Sequence, residues 1–137
     1  MKIHVGNPQT QFIGGYNAIQ VVDEQIDLSA ISDNECVEIL ASEILDEFQI
    51  HNIGQVIQLL LSKLRIGGKL IIGGTDVLLF CKAVQDGSIS EQDYCNIISS
   101  KKSMTQTNIV LDTLRQLGLT IEVSDINGIH FEATVRR

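Results

Sequence analysis

Leu119-Thr120-Ile121-Glu122-Val123-Ser124-Asp125-Ile126-Asn127-Gly128-Ile129-His130-Phe131-Glu132-Ala133-Thr134-Val135 is the passage that decides the fold. Two β-rich runs, Leu119–Val123 and Ile129–Val135, flank Asp125-Ile126-Asn127-Gly128. Asn-Gly is a strong hairpin signal because both residues accept the positive φ that a two-residue hairpin turn demands. The chain therefore closes on an antiparallel hairpin. Upstream the pattern is different, alternating between strand-like and helix-like segments. Lys2–Gly6 is a short apolar start running into the turn signal Gly6-Asn7-Pro8. Asn17–Val22 and Cys36–Ala41 read as two more strands, the second preceded by the turn-forming Ser32-Asp33-Asn34.

The middle of the chain supplies the helices. Ile53, Val56, Ile57, Leu60, Leu61 and Leu64 recur at helical spacing over Ile53–Leu64, with Gly67-Gly68 as the stop. Lys69–Ile72 then reads as a short buried strand closed by Gly73-Gly74, and Asp76–Gln85 as the next helix. Ser90 has the character of an N-cap, with Glu91 and Asp93 as first-turn acids, for a helix through about Ile98. Thr107–Leu117 is amphipathic, with Ile109, Val110, Leu114 and Leu117 on its apolar side and Gly118 as its end. Burial is expected for Ile57, Leu60, Leu61, Leu64, Leu70, Ile71 and Ile72. Strands separated by helices predict a parallel sheet with right-handed crossovers. The fold expected is α/β: a Rossmann-like, mostly parallel sheet with helices on both faces and a C-terminal antiparallel hairpin. The chain has 137 residues, which suits a single domain over 1–137.

Composition excludes several classes. Hydrophobic residues make up 44% and charged residues 20%, the balance of a globular domain rather than a disordered one. Apolar runs such as Val77–Cys81 fall well short of the roughly 20 residues that span a bilayer. Met1–Gly6 has no signal-peptide character, and Cys36, Cys81 and Cys95 lack C-x-x-C spacing. They read as reduced core thiols, so a cytoplasmic location is expected. The net charge of −7 is uneven, with no Lys or Arg between Ile3 and Ser62. An acidic first half repels phosphate, so autonomous nucleic-acid binding is not expected, whereas a cationic ligand or basic partner is tolerated. His4, His51 and His130 do not stand at metal-ligand spacing, and no zinc site is expected.

Three stretches resemble the class I S-adenosylmethionine-dependent methyltransferases, in particular the short bacterial and phage type. Asp27-Leu28 with Ser32-Asp33-Asn34-Glu35-Cys36-Val37-Glu38-Ile39-Leu40-Ala41-Ser42 resembles that family's "D-L…P-D-N-S-V-D-E-I-Y-A-S" passage. Leu64-Arg65-Ile66-Gly67-Gly68-Lys69-Leu70-Ile71-Ile72 resembles "L-K-P-G-G-R-L-V-I", the turn into the fifth strand. Leu114–Glu122 resembles the final helix-to-hairpin passage, "L-x-x-x-G-F-x-x-x". The resemblance implies a methyltransferase-like domain, S-adenosylmethionine as cofactor and a small-molecule acceptor. It also implies the cofactor-binding positions: Gly6 in the turn after the first strand, Gln20 at the ribose acid, Asp27 and Leu28 in the adenine loop, and Ser42 beyond the fourth strand. No catalytic residue is assigned.

The departures bear on function. The family's glycine-rich turn is here Ile3-His4-Val5-Gly6-Asn7-Pro8-Gln9, which keeps one glycine and loses an amide donor at Pro8. Gln20 carries no charge, although Asp23 or Glu24 could substitute for the acid. The family's "A-S-H-V-L-E-H" reads Ala41-Ser42-Glu43-Ile44-Leu45-Asp46-Glu47, with acids at both histidine positions. Glu43 falls at the ligand-facing edge of an open α/β sheet, or is simply a solvated first-turn acid. Three functions stay open: a methyltransferase, a methyltransferase-like interaction or assembly module without cofactor, and an α/β protein binding another small ligand at the same edge. The partners are correspondingly a small-molecule acceptor or a protein, and a homo-oligomer is compatible with the sequence. Fold alone does not select among these.

Overall fold

A computed structural model describes residues 1–137. The closing hairpin is present: β6 (Thr120–Asn127) pairs antiparallel with β7 (His130–Arg136). Its strands run further toward each other than the sequence pattern suggests. Asp125, Ile126 and Asn127 all belong to β6, and the turn shrinks to Gly128-Ile129, with Gly128 at φ +63. A one-residue slip between Ile121 and Val123 bulges β6.

The sheet has seven strands in the order β3-β2-β1-β4-β5-β7-β6. β1 (Lys2–Gly6), β2 (Asn17–Val22), β4 (Cys36–Ala41) and β5 (Leu64–Thr75) form its parallel centre. β7 inserts antiparallel against β5 and leaves β6 at the edge. β3 (Gln25–Ile26) has too little sequence to announce itself; it folds back on β2 through Asp23 and Glu24, both at positive φ.

The sequence pattern truncates β5 at both ends. The helix before it, α1 (Ile53–Lys63), ends before the glycines, and Gly67-Gly68 lie inside the strand. They form a bulge there: Cys36 pairs with Leu64 but Glu38 pairs with Lys69, so the residues between loop out. The bulge is tied to the C-terminus, since Gly67 N–H donates to the Arg137 carbonyl and Arg137 N–H donates to that of Gly68.

Alternation sorts the central strands into two faces. Ile3 and Val5, Ile39 and Ala41, Leu70 and Ile72, and Phe131, Ala133 and Val135 all join one continuous core. Ile53, Val56, Ile57 and Leu60 of α1 enter that core, as do Val110, Leu111 and Leu114 of α4 (Thr107–Gln116). The apolar stripe of α1 thus ends on Leu60, while Leu61 and Ile71 are half-buried rather than core. In α4 the stripe turns by one residue, with Leu111 inside and Ile109 59% exposed. The helical cover is uneven. α2 (Val77–Gln85) and α3 (Glu91–Ser100) lie beyond the carboxyl end of β5 and add nothing to the central core.

The other strand face carries charge. Glu38 meets Lys69 at 3.4 Å and Lys2 at 3.6 Å, and accepts a very short hydrogen bond from the Tyr16 hydroxyl. That hydroxyl bond, aided by the two lysines against the cost of burial, holds the Glu38 carboxyl below the usual carboxylate range. Of the thiols only Cys36 is a core residue; Cys81 and Cys95 are exposed on α2 and α3, where helical periodicity turns them outward.

Candidate functional site

The carboxyl ends of β1, β4 and β5 gather the polar side chains that could act on a ligand. The turn after β1 closes on itself. Thr10 N–H donates to the Asn7 carbonyl at 3.0 Å, and Asn7 N–H donates to Thr10 Oγ1 at 2.9 Å. This folds the Thr10 side chain over Gly6, where an added Cβ would lie 2.5 Å from Thr10 Oγ1. The glycine's open side is therefore filled from within the chain, and the amide that follows it is already bonded. Asn7 Nδ2 also donates to Glu47 Oε1 at 2.9 Å, fixing the turn to the segment after β4.

The other cofactor-binding positions implied by resemblance are scattered in character. Gln20 is the β2 neighbour of Gly6 and is exposed. Asp27 is exposed and accepts from Ser29 Oγ at 2.6 Å and Ser29 N–H at 3.0 Å, bonds that lower its pKa. That is an Asx turn, the local role an Asp in this position commonly takes. Leu28 is buried and belongs to the core. Ser42 is half-buried just beyond β4 and lines a cleft with residues of β1 and its loop. Asp23 and Glu24 form the β2–β3 turn, and Glu24 Oε1 is engaged by the Gln49 amide at 2.5 Å.

The cleft beside Ser42 measures about 560 Å³. Val5 and Leu40 contribute apolar wall, and Glu43 and Glu132 contribute carboxylates. His4 lines it too, although its side chain is almost entirely covered at 6% exposure. Its Nδ1 accepts the Ile13 amide at 3.2 Å, and the ring packs edge-on against Phe12, with centroids 5.0 Å apart. Burial lowers the His4 pKa, against the opposing pull of Glu43, so the imidazole is held neutral.

Two buried carboxylates stand at the end of β5, and the sequence pattern did not single out either. Asp46 accepts Thr75 N–H at 2.7 Å and Thr75 Oγ1 at 2.8 Å, and pairs with Lys101 at 3.0 Å. Asp76 caps α2 through the Leu78 and Leu79 amides at 2.8 and 3.0 Å. Its other oxygen accepts from Thr107 N–H at 2.9 Å and Thr107 Oγ1 at 2.5 Å. Burial raises the Asp76 pKa, but these bonds outweigh it and leave the carboxyl below its ordinary range. An Asp directly before an apolar helix is an N-cap signal and could have found this residue. The Thr107 bonds cannot be seen without the fold. Both aspartates are fully engaged inside the chain and serve as fasteners.

No protein-family model matches the chain, and no curated protein matches it in sequence. Solved structures do match in shape. A SAM dependent methyltransferase from Archaeoglobus fulgidus superposes with a TM-score of 0.58 at 11% identity, over 90% of this chain and 69% of that one. The PH0226 protein from Pyrococcus horikoshii OT3 superposes with a TM-score of 0.57 at 14% identity, over 89% of this chain and 59% of that one. Identities this low speak for fold alone. Together with the strand order and the inserted terminal hairpin, they establish that this chain has the class I methyltransferase-like fold.

Proposed function

We propose that this is a methyltransferase-like protein in which S-adenosylmethionine binding is weak or absent, and that it works as an interaction or assembly module. The observation that carries this reading is Thr10. Its side chain fills the space beside Gly6 and its hydroxyl occupies the Asn7 amide, so the turn lacks both the room and a free donor. As the residues stand they do not fit the cofactor. Gln20 adds a smaller penalty, since exchanging a charge-assisted contact for a neutral one loses about 1–2 kcal/mol, roughly tenfold in affinity. Any residual site would use Gly6, Gln20, Asp27, Leu28 and Ser42.

The second reading is a methyltransferase acting on a small-molecule acceptor. The likeness in fold to the SAM dependent methyltransferase from Archaeoglobus fulgidus favours it. It requires the Asn7–Ile13 loop to swing off Gly6. Calorimetric titration with S-adenosylmethionine and S-adenosylhomocysteine separates the two. The module reading expects little or no heat from the wild-type chain and a gain in Thr10→Gly. Tight binding that is lost in Asp27→Ala would sink it and install the enzyme reading instead.

A further inference from the structure

The cleft over the β1–β4 seam has a donor and acceptor set of its own. It shares only Ser42 with the cofactor positions above, and apart from Val5 its strand residues, His4, Leu40 and Glu132, alternate away from the core face. We infer that this cleft binds a small hydroxylated amine of the amino-sugar type, with its ammonium on Glu43 and Glu132 and an oxygen on His4 Nε2.

His4 supplies the first argument. The side chain is nearly buried, and its Nδ1 is committed to the Ile13 amide. In the neutral ring the proton therefore sits on Nε2, which has no partner within the chain. Nε2 is not sealed in either, since the one fully enclosed polar side-chain atom without a partner is Thr105 Oγ1. A buried imidazole held in one tautomer by backbone, in the wall of a cleft and with an unpartnered donor that is not sealed in, is pre-organised to meet an acceptor such as a hydroxyl or ring oxygen.

The carboxylates supply the second argument. Glu43 and Glu132 line the same cleft, and neither takes part in an ion pair. No Lys or Arg lines it. Two carboxylates with no basic side chain beside them give the cleft a negative potential that favours a cationic ligand. Gln9 and Gln11 contribute amides that both donate and accept, which suits hydroxyls. An anionic ligand is disfavoured by the same carboxylates, and a purely apolar one by the polar rim. The volume of about 560 Å³ accommodates a monosaccharide with its water.

The test is calorimetry on the full chain at low salt with three probes: glucosamine, glucose (the hydroxyls without the charge) and cyclohexylamine (the single charge on a six-membered ring without the hydroxyls). Glucosamine should bind about tenfold tighter than either of the others. Glu43→Gln and Glu132→Gln should each weaken it by about tenfold. His4→Asn keeps an acceptor for the Ile13 amide while removing the Nε2 donor, and should weaken it similarly. Asp112→Asn, on the exposed side of α4, should change nothing. Glucosamine binding no tighter than glucose or cyclohexylamine, unaltered binding in Glu43→Gln, or no binding at all would each overturn the assignment. Glu43 is exposed and makes no bond in the fold, so its variant keeps the test valid should His4→Asn fail to fold. The outcome is distinguishable from that of the S-adenosylmethionine titration, because His4, Glu43 and Glu132 are not among the cofactor positions and Ser42 is left unvaried in both tests.

Discussion

Replacing Asp76 by Ala removes the fastener between β5, α2 and α4. Two losses can be sized separately. The N-cap bonds to Leu78 and Leu79 are worth about 1 kcal/mol. On the far oxygen, Thr107 N–H and Oγ1 lose a charged acceptor in a buried setting, which costs about 1–3 kcal/mol for the stranded amide. Together Asp76→Ala should destabilise by about 2–4 kcal/mol, a large share of the roughly 5–15 kcal/mol that holds a domain folded. Asp76→Asn isolates the second loss, because its oxygen can still cap α2 while its NH2 group faces the Thr107 donors. The assay is urea denaturation followed by far-UV circular dichroism. The folded pKa of Asp76 is depressed, so its contribution is full above the unfolded carboxylate pKa and is lost as pH falls through the folded value. The gap between wild type and Asp76→Asn should accordingly narrow in acid. A loss below about 0.5 kcal/mol for Asp76→Ala would refute the reasoning and place α4 elsewhere.

Other expectations follow from packing and burial. Leu60→Ala should cost about 2–5 kcal/mol in the same assay and Leu61→Ala distinctly less, since only Leu60 is fully buried. Equal effects would mean that α1 is rotated from its placement here. Gly73→Ala should destabilise strongly, because a Cβ would lie 2.2 Å from the Phe131 carbonyl oxygen and 2.5 Å from that of Ser42; a variant melting with wild type would contradict this. The His4 pKa is lowered by burial, so stability should be full above the unfolded histidine pKa and fall as pH drops below it. His4→Asn should flatten that fall between pH 7 and pH 5 in pH-dependent denaturation, and an unchanged slope would count against a buried neutral imidazole.

What the sequence determined by itself is the set of elements whose signals are local. The closing hairpin, whose turn moves by one residue to Gly128-Ile129, the strands Lys2–Gly6, Asn17–Val22 and Cys36–Ala41, and the Ser90 cap all appear close to where residue chemistry puts them. Periodicity 2 and turn residues act over a few positions, so they survive without knowledge of neighbours. Tertiary structure decided the rest. Whether Leu61 or Leu111 lies inside depends on the roll of a helix on the sheet, which a two-residue shift in an apolar run cannot fix. Gly67-Gly68 reads as a helix stop until the Arg137 backbone is seen bonded across the bulge. The candidate sites show the same limit. Gly6 looks like the remnant of a cofactor turn in sequence, and only the folded loop brings Thr10 over it. His4, Glu43 and Glu132 are separated by long stretches of chain, and parallel pairing of β1 with β4, plus the inserted β7, is what sets them around one space. Long-range pairing carries no local signature, because the groups it unites are selected by the register of strands rather than by their neighbours in sequence.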